Sequence, residues 1–170
     1  DIPVVVQDHP ASSGVFMNVE FIAALAEEAP QCRFLKLEDE PSPPKVSKVL
    51  AANPGVQVFG GLGGMMFLEE LRHGAIGTMT GFGFPEILVE IYEKSTAGDV
   101  EGATEVIYRY CPLIRFENQA LINLALRKHI YHLRGAIASS RVCAPFMALD
   151  EGTLADLSDL LTRLELMKIS

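Results

Sequence analysis

The first hundred residues alternate four times between a short β-branched run and a helical pattern, and this beat limits the fold more than any other feature. The runs are PVVVQD (3–8), RFLKLE (33–38), VQVFG (56–60) and AIGTMTG (75–81). Each is followed by apolar residues at helical spacing, over 18–29, 43–54, 65–74 and 85–99. Asn18 is a candidate N-cap, Pro54 lies beyond the end of the second helix, and Gly74 suits the C′ position of the third. Strand–helix units with short connections predict a parallel sheet. From Val100 the pattern is helical only, over 101–117, 119–133 and 153–167, with an irregular bridge over 135–152. The expectation is one α/β domain, with four β/α units over 1–99 and a helical extension over 100–170. Four such units are half of a (β/α)8 barrel; an open flavodoxin-like sheet with helices on both faces is the alternative.

At 170 residues, 49 % of them hydrophobic, the chain can bury a substantial core. A net charge of −8 without a Lys/Arg cluster argues against a nucleic-acid partner. Apolar stretches are interrupted before the ~18–20 residues a membrane span requires, and the start has no signal-peptide pattern. Cys32, Cys111 and Cys143 lack metal-ligand spacing and read as small buried hydrophobes in a reducing, cytoplasmic setting. The chain opens on Asp1 without a Met and runs straight into an interior-type strand, as expected of a piece of something larger.

One charge stands inside an apolar run. In RFLKLE, Phe34, Lys36 and Glu38 share one face of the strand, while Leu35 and Leu37 share the other. The leucines suit packing against helices, so the lysine faces the opposite side. An unpaired amine against helices would cost several kcal/mol, whereas the mouth of a barrel is where such folds do chemistry. Pairing with Glu38, Asp39 or Asp8 in an ion network is the other reading.

The order PVVVQDHPASSGV, RFLKLED, VQVFGGLGG, GAIGTMTGF, followed by helices, resembles the C-terminal half of the dihydrodipicolinate synthase / N-acetylneuraminate lyase family. Those proteins are (β/α)8 TIM barrels with a helical C-terminal extension. The resemblance implies that Lys36 is a Schiff-base lysine near the end of the sixth barrel strand. Its amine would attack the ketone of a 2-oxo acid, typically pyruvate, and the iminium would act as an electron sink while a carbon–carbon bond to an aldehyde forms or breaks. No cofactor or metal is implied. Gly60, in GGLGG, maps to a glycine near the substrate, and Gly61 joins it as a substrate-lining candidate; a tight strand-to-helix turn is the plainer reading. A phosphate loop is disfavoured, because no Lys-Ser/Thr follows. Gly77 maps to backbone lining the keto-acid pocket, and Thr78 and Thr80 are candidate hydroxyl donors or simply β-branched strand residues. Asp8, His9 and Ser13 lie at the active-site end of the first strand, with Asp8 and His9 as substrate-binding candidates. In many family members this loop reads Asn-x-Pro-Gly-Arg, the arginine binding a substrate carboxylate; here Ser12 takes that place. His73, His129 and His132 read as solvated or capping residues, and the stripe over 121–133 as an interior or oligomer-facing surface.

The family's catalytic tyrosine and its Gly-Thr-Thr-Gly-Glu-like pocket belong to strands that precede this half. Tyr92, Tyr108, Tyr110 and Tyr131 all fall on expected helices. The chain is therefore expected to complete its barrel with an N-terminal half or another subunit, in a homo-oligomer. The contrasting expectation is a non-catalytic half barrel that binds or assembles without turnover.

Overall fold

In the computed structural model, which describes residues 2–167, the four apolar runs form strands β1 (Val5–Asp8), β2 (Phe34–Leu37), β3 (Gln57–Gly60) and β4 (Gly77–Thr78). They pair in parallel in the order β1-β2-β3-β4. Consecutive neighbours without a reversal of order are four units of a barrel wall; a doubly wound sheet reverses its strand order at a switch point.

Helices α1 (Pro10–Ser13), α2 (Val19–Glu28), α3 (Ser42–Ala52), α4 (Phe67–Arg72) and α5 (Pro85–Thr96) follow the strands, and α6 (Val100–Glu117), α7 (Asn123–Leu133) and α8 (Glu151–Arg163) form the extension. Leu35, Leu37 and Val58 are buried with Ile22 and Ala26 of α2 and Val46 and Val49 of α3. The other face carries Val5, Gln7, Phe34, Lys36, Gln57 and Phe59, all exposed or half-buried. Helices thus cover one face only, and the flavodoxin-like alternative does not hold. A second core joins α4 and α5 to the extension through Phe67, Ile91, Ile107, Leu113, Leu126, Ile130 and Leu161.

Several local expectations are corrected. HPASSG is not all loop: Pro10 starts the single turn of α1, and Gly14 closes it at φ 70°. The fourth strand shrinks to two residues, Gly77–Thr78, and among the described residues it has a neighbour on one side only. The helix expected over 119–133 starts at Asn123, since Leu121 takes a left-handed φ of 71°. The last helix starts earlier, where the Asp150 side chain accepts from Thr153 N–H at 2.8 Å. Cys111 and Cys143 are exposed and Cys32 is half-buried, so the three are not core hydrophobes. Among the described residues no helix is long and apolar enough to cross a membrane.

On the helix side of β1, Asp8 is fully buried and paired to Lys45 Nζ at 2.7 Å. The same amine reaches Asp39 at 2.8 Å and donates to Met17 O at 2.6 Å. Burial pulls the Lys45 amine down, but Asp39 and Asp8 outweigh it and hold the group above its ordinary range. Lys45→Met leaves the Asp8 carboxylate buried without a counter-ion, and urea unfolding is expected to show a loss of about 3–5 kcal/mol.

Candidate active site

Register brings the open-face residues into one row: Gln7 lies opposite Lys36, Lys36 opposite Phe59, and Phe59 opposite Gly77. Beyond the C-terminal ends of the strands the row opens into a cleft of about 480 Å³. Gln7, His9, Lys36 and Glu38 line it from the sheet side. Gly63, Thr80 and Gly81 come from the loops after β3 and β4, and Asn118, Asn123 and Arg127 from the extension.

Lys36 and Glu38 stand two residues apart on the same face, and Lys36 Nζ lies 3.0 Å from Glu38 Oε2. Cleft-facing lysine and ion-paired lysine are therefore one arrangement. Gln7 Nε2 donates to the same oxygen at 2.6 Å, and the Leu62 amide donates to Glu38 Oε1 at 3.0 Å. Burial pushes the Glu38 carboxyl up, but Leu62, Lys36 and Gln7 together hold it below the usual carboxylate range. An ionised, anchored carboxylate beside an amine can accept and return protons there.

The glycine run after β3 serves this carboxylate. A Cβ on Gly61 would meet Glu38 Oε1 at 2.3 Å, so only glycine lets the carboxylate lie against the chain. The backbone donor that GGLGG offers, at Leu62, is used on Glu38. Gly60 faces the helix layer, where its Cβ would strike Glu70 Oε2 at 1.6 Å. Thr78 pairs with Gly60 in register, and its hydroxyl is buried without a hydrogen-bond partner among the described residues. Of the candidate residues, Lys36, His9 and Thr80 line the cleft, Gly77 lies in the open-face row and Gly61 abuts Glu38. Asp8, Gly60 and Thr78 do not line it. Ser12, in the arginine's place, holds the His9 ring nitrogen Nδ1 at 2.7 Å.

Two further carboxylates are sealed around the site. Glu70 is 1 % exposed and accepts from Ser42 Oγ at 2.6 Å. Burial raises it to about 7 against the pull of Ser42, with Glu69 and Glu38 adding to the rise. The fold thus favours its protonated form: that stability is complete below about pH 4.5 and is lost as pH climbs through 7. Glu70→Gln is expected to stabilise the protein at pH 8 by about 3 kcal/mol and to change little at pH 4.5; urea melts at both pH values check this. Glu117 accepts from the Gly83 amide with both oxygens at 3.1 Å, and burial raises it to about 7 against Gly83, Arg127 and Arg134.

Glu38, Gln7, Asn118 and Arg127 were not among the sequence candidates. Glu38 carried a signal, its spacing of two from Lys36; the extension residues carried none.

A model of the Dihydrodipicolinate synthetase family matches residues 1–164. The chain is 32 % identical over 167 residues to an L-2-keto-3-deoxyarabonate dehydratase of Azospirillum brasilense, covering 96 % of this chain and 53 % of that protein. It superposes on the crystal structure of dihydrodipicolinate synthase from Rhodopseudomonas palustris with a TM-score of 0.90 at 31 % identity, covering 95 % of this chain and 55 % of that one. YagE, a prophage protein from E. coli K12, gives 0.86 at 22 % identity over 97 % and 57 %, a likeness of fold alone. The chain spans about half the length of the relatives it matches. With its four-strand barrel wall and helical extension, the chain belongs to the dihydrodipicolinate synthetase family.

Proposed function

We propose that the chain is the lysine-bearing half of a Schiff-base lyase acting on a 2-oxo acid, its barrel completed by an N-terminal half or by another subunit. The observation that carries this reading is Lys36 in the cleft, with its Nζ 3.0 Å from an anchored Glu38 carboxylate. The amine adds to the keto carbon, and loss of water leaves an iminium. A proton leaves the adjacent carbon, and its electron pair moves into the iminium to give an enamine. The enamine then expels a hydroxyl from the next carbon, which leaves as water on protonation, or in the carbon–carbon direction adds to an aldehyde. Water hydrolyses the resulting iminium, releasing product and amine. Glu38 takes up and returns the protons.

A 2-keto-3-deoxy acid presents the ketone, the methylene and the hydroxyl-bearing carbon in that order. The similarity to a 2-keto-3-deoxyarabonate dehydratase therefore supports the water-loss branch. Gly61 leaves room for the Glu38 carboxylate and Gly77 for the Phe59 ring, and His9 lines the cleft with Ser12 against its ring nitrogen. A cytoplasmic, homo-oligomeric protein belongs to the same proposal. Borohydride reduction in the presence of pyruvate, on the barrel-completed protein, tests it: mass spectrometry is expected to place the reduced adduct on Lys36, and no adduct would sink the reading.

A further inference from the structure

The roof of the cleft carries a cation that the chemistry above leaves without a task. Arg127 projects from α7 into the cleft, and its side chain is 17 % exposed. Its Nη2 donates to Asn118 Oδ1 at 3.2 Å, while Nε is buried without a hydrogen-bond partner among the described residues. Glu117 is the nearest carboxylate, but it lies 3.7 Å from Nε and already accepts from the Gly83 amide with both oxygens. Among the described residues the Asn118 amide nitrogen meets only the Met65 sulfur, a weak acceptor, at 3.3 Å. The side chain lies close on bare backbone: a Cβ at Gly81 would come within 3.3 Å of Arg127 Cδ, and one at Gly63 within 3.3 Å of Nη2. Two glycines thus make room for a pair of donors whose acceptors among the described residues are few and weak.

Among the residues lining the cleft, Arg127 is the one cation besides Lys36.

We infer that Arg127, with the Asn118 amide, is a specificity-determining pair. It binds oxygen acceptors on the tail of the 2-oxo acid, beyond the carbon that follows the methylene. The extension is then part of the substrate site. The inference rests on the Schiff-base reading, and its test separates the two.

The barrel-completed protein is assayed with pyruvate, which has no tail, with a 2-keto-3-deoxypentonate, whose tail ends in a hydroxyl, and with a 2-keto-3-deoxyaldarate, whose tail ends in a carboxylate. Arg127→Met is expected to raise KM for the preferred tailed acid about 10–100-fold with a smaller change in kcat, and to leave pyruvate trapping on Lys36 unchanged. Arg127→Lys, which keeps a charge beside Glu117, is expected to show part of the loss. Asn118→Ala, which leaves the Arg127–Glu117 contact in place, is expected to raise KM about 3–10-fold. The tailed acid with the larger loss identifies the acceptor. An unchanged KM for both tailed acids in all three variants, or a parallel loss of pyruvate trapping, overturns the inference and leaves Arg127 a structural tie. No pyruvate adduct on the unsubstituted protein overturns the Schiff-base reading instead.

Discussion

Lys36→Arg is expected to abolish the borohydride-stable pyruvate adduct and to lower kcat on the order of 10⁴-fold or more, the scale of losing a covalent nucleophile. Arginine keeps the positive charge beside Glu38 and so spares a buried carboxylate from standing alone, but a guanidinium stays protonated and cannot add to a ketone. The ion pair at 3.0 Å and the Gln7 and Leu62 hydrogen bonds to Glu38 are all compatible with a cation at this place. Thermal melting is therefore expected to move little while chemistry disappears. Peptide mapping after borohydride reduction checks both halves of the expectation. A full-yield adduct on another lysine of the variant would remove Lys36 from its role.

The lysine was legible because its strand has two unlike faces. Leu35 and Leu37 alternate with Phe34, Lys36 and Glu38, and the register of β1, β2 and β3 preserves that parity across the sheet. The same reasoning applied to VQVFG puts Gly60 on the face of Val56 and Val58, both buried against helices, and so away from the cleft. The β4 residue paired with it, Thr78, follows it there. Asp8 was harder to read, since PVVVQD is apolar at both parities up to Gln7 and gives no preference of face. Its burial depends on Lys45, 37 residues on. Asn118 and Arg127 reach the cleft only because α6 and α7 fold back over the loops after β3 and β4. On a helix, a lone arginine among leucines has the same pattern whether it meets solvent or substrate.

The glycine run shows how one motif changes meaning with its surroundings. GGLGG has the composition of an anion cradle, and it does bind an anion: the protein's own Glu38, held through the Leu62 amide with Gly61 clearing the space. The turn thereby sets the position and the ionisation of the group next to Lys36, and a substitution there acts on the proton carrier as well as on the turn.

Glu38→Gln isolates that proton carrier. The amide is nearly isosteric, its oxygen can keep the Leu62 hydrogen bond, and Gln7 can flip to offer its carbonyl to the new NH₂ group, so the fold is expected to persist. What is lost is a base: an amide cannot accept the proton released from the amine adduct or from the carbon beside the iminium. Turnover is expected to fall about 10²–10⁴-fold, the range of general acid–base assistance, while borohydride trapping of pyruvate on Lys36 continues. Lys36→Arg and Glu38→Gln thus part company: the first removes adduct and turnover together, the second turnover alone. Steady-state kinetics beside mass spectrometry of the trapped protein reads the difference. Turnover within a few-fold of the unsubstituted protein would mean that the carboxylate only balances the charge of Lys36, and that the proton is carried by a group in the other half of the barrel.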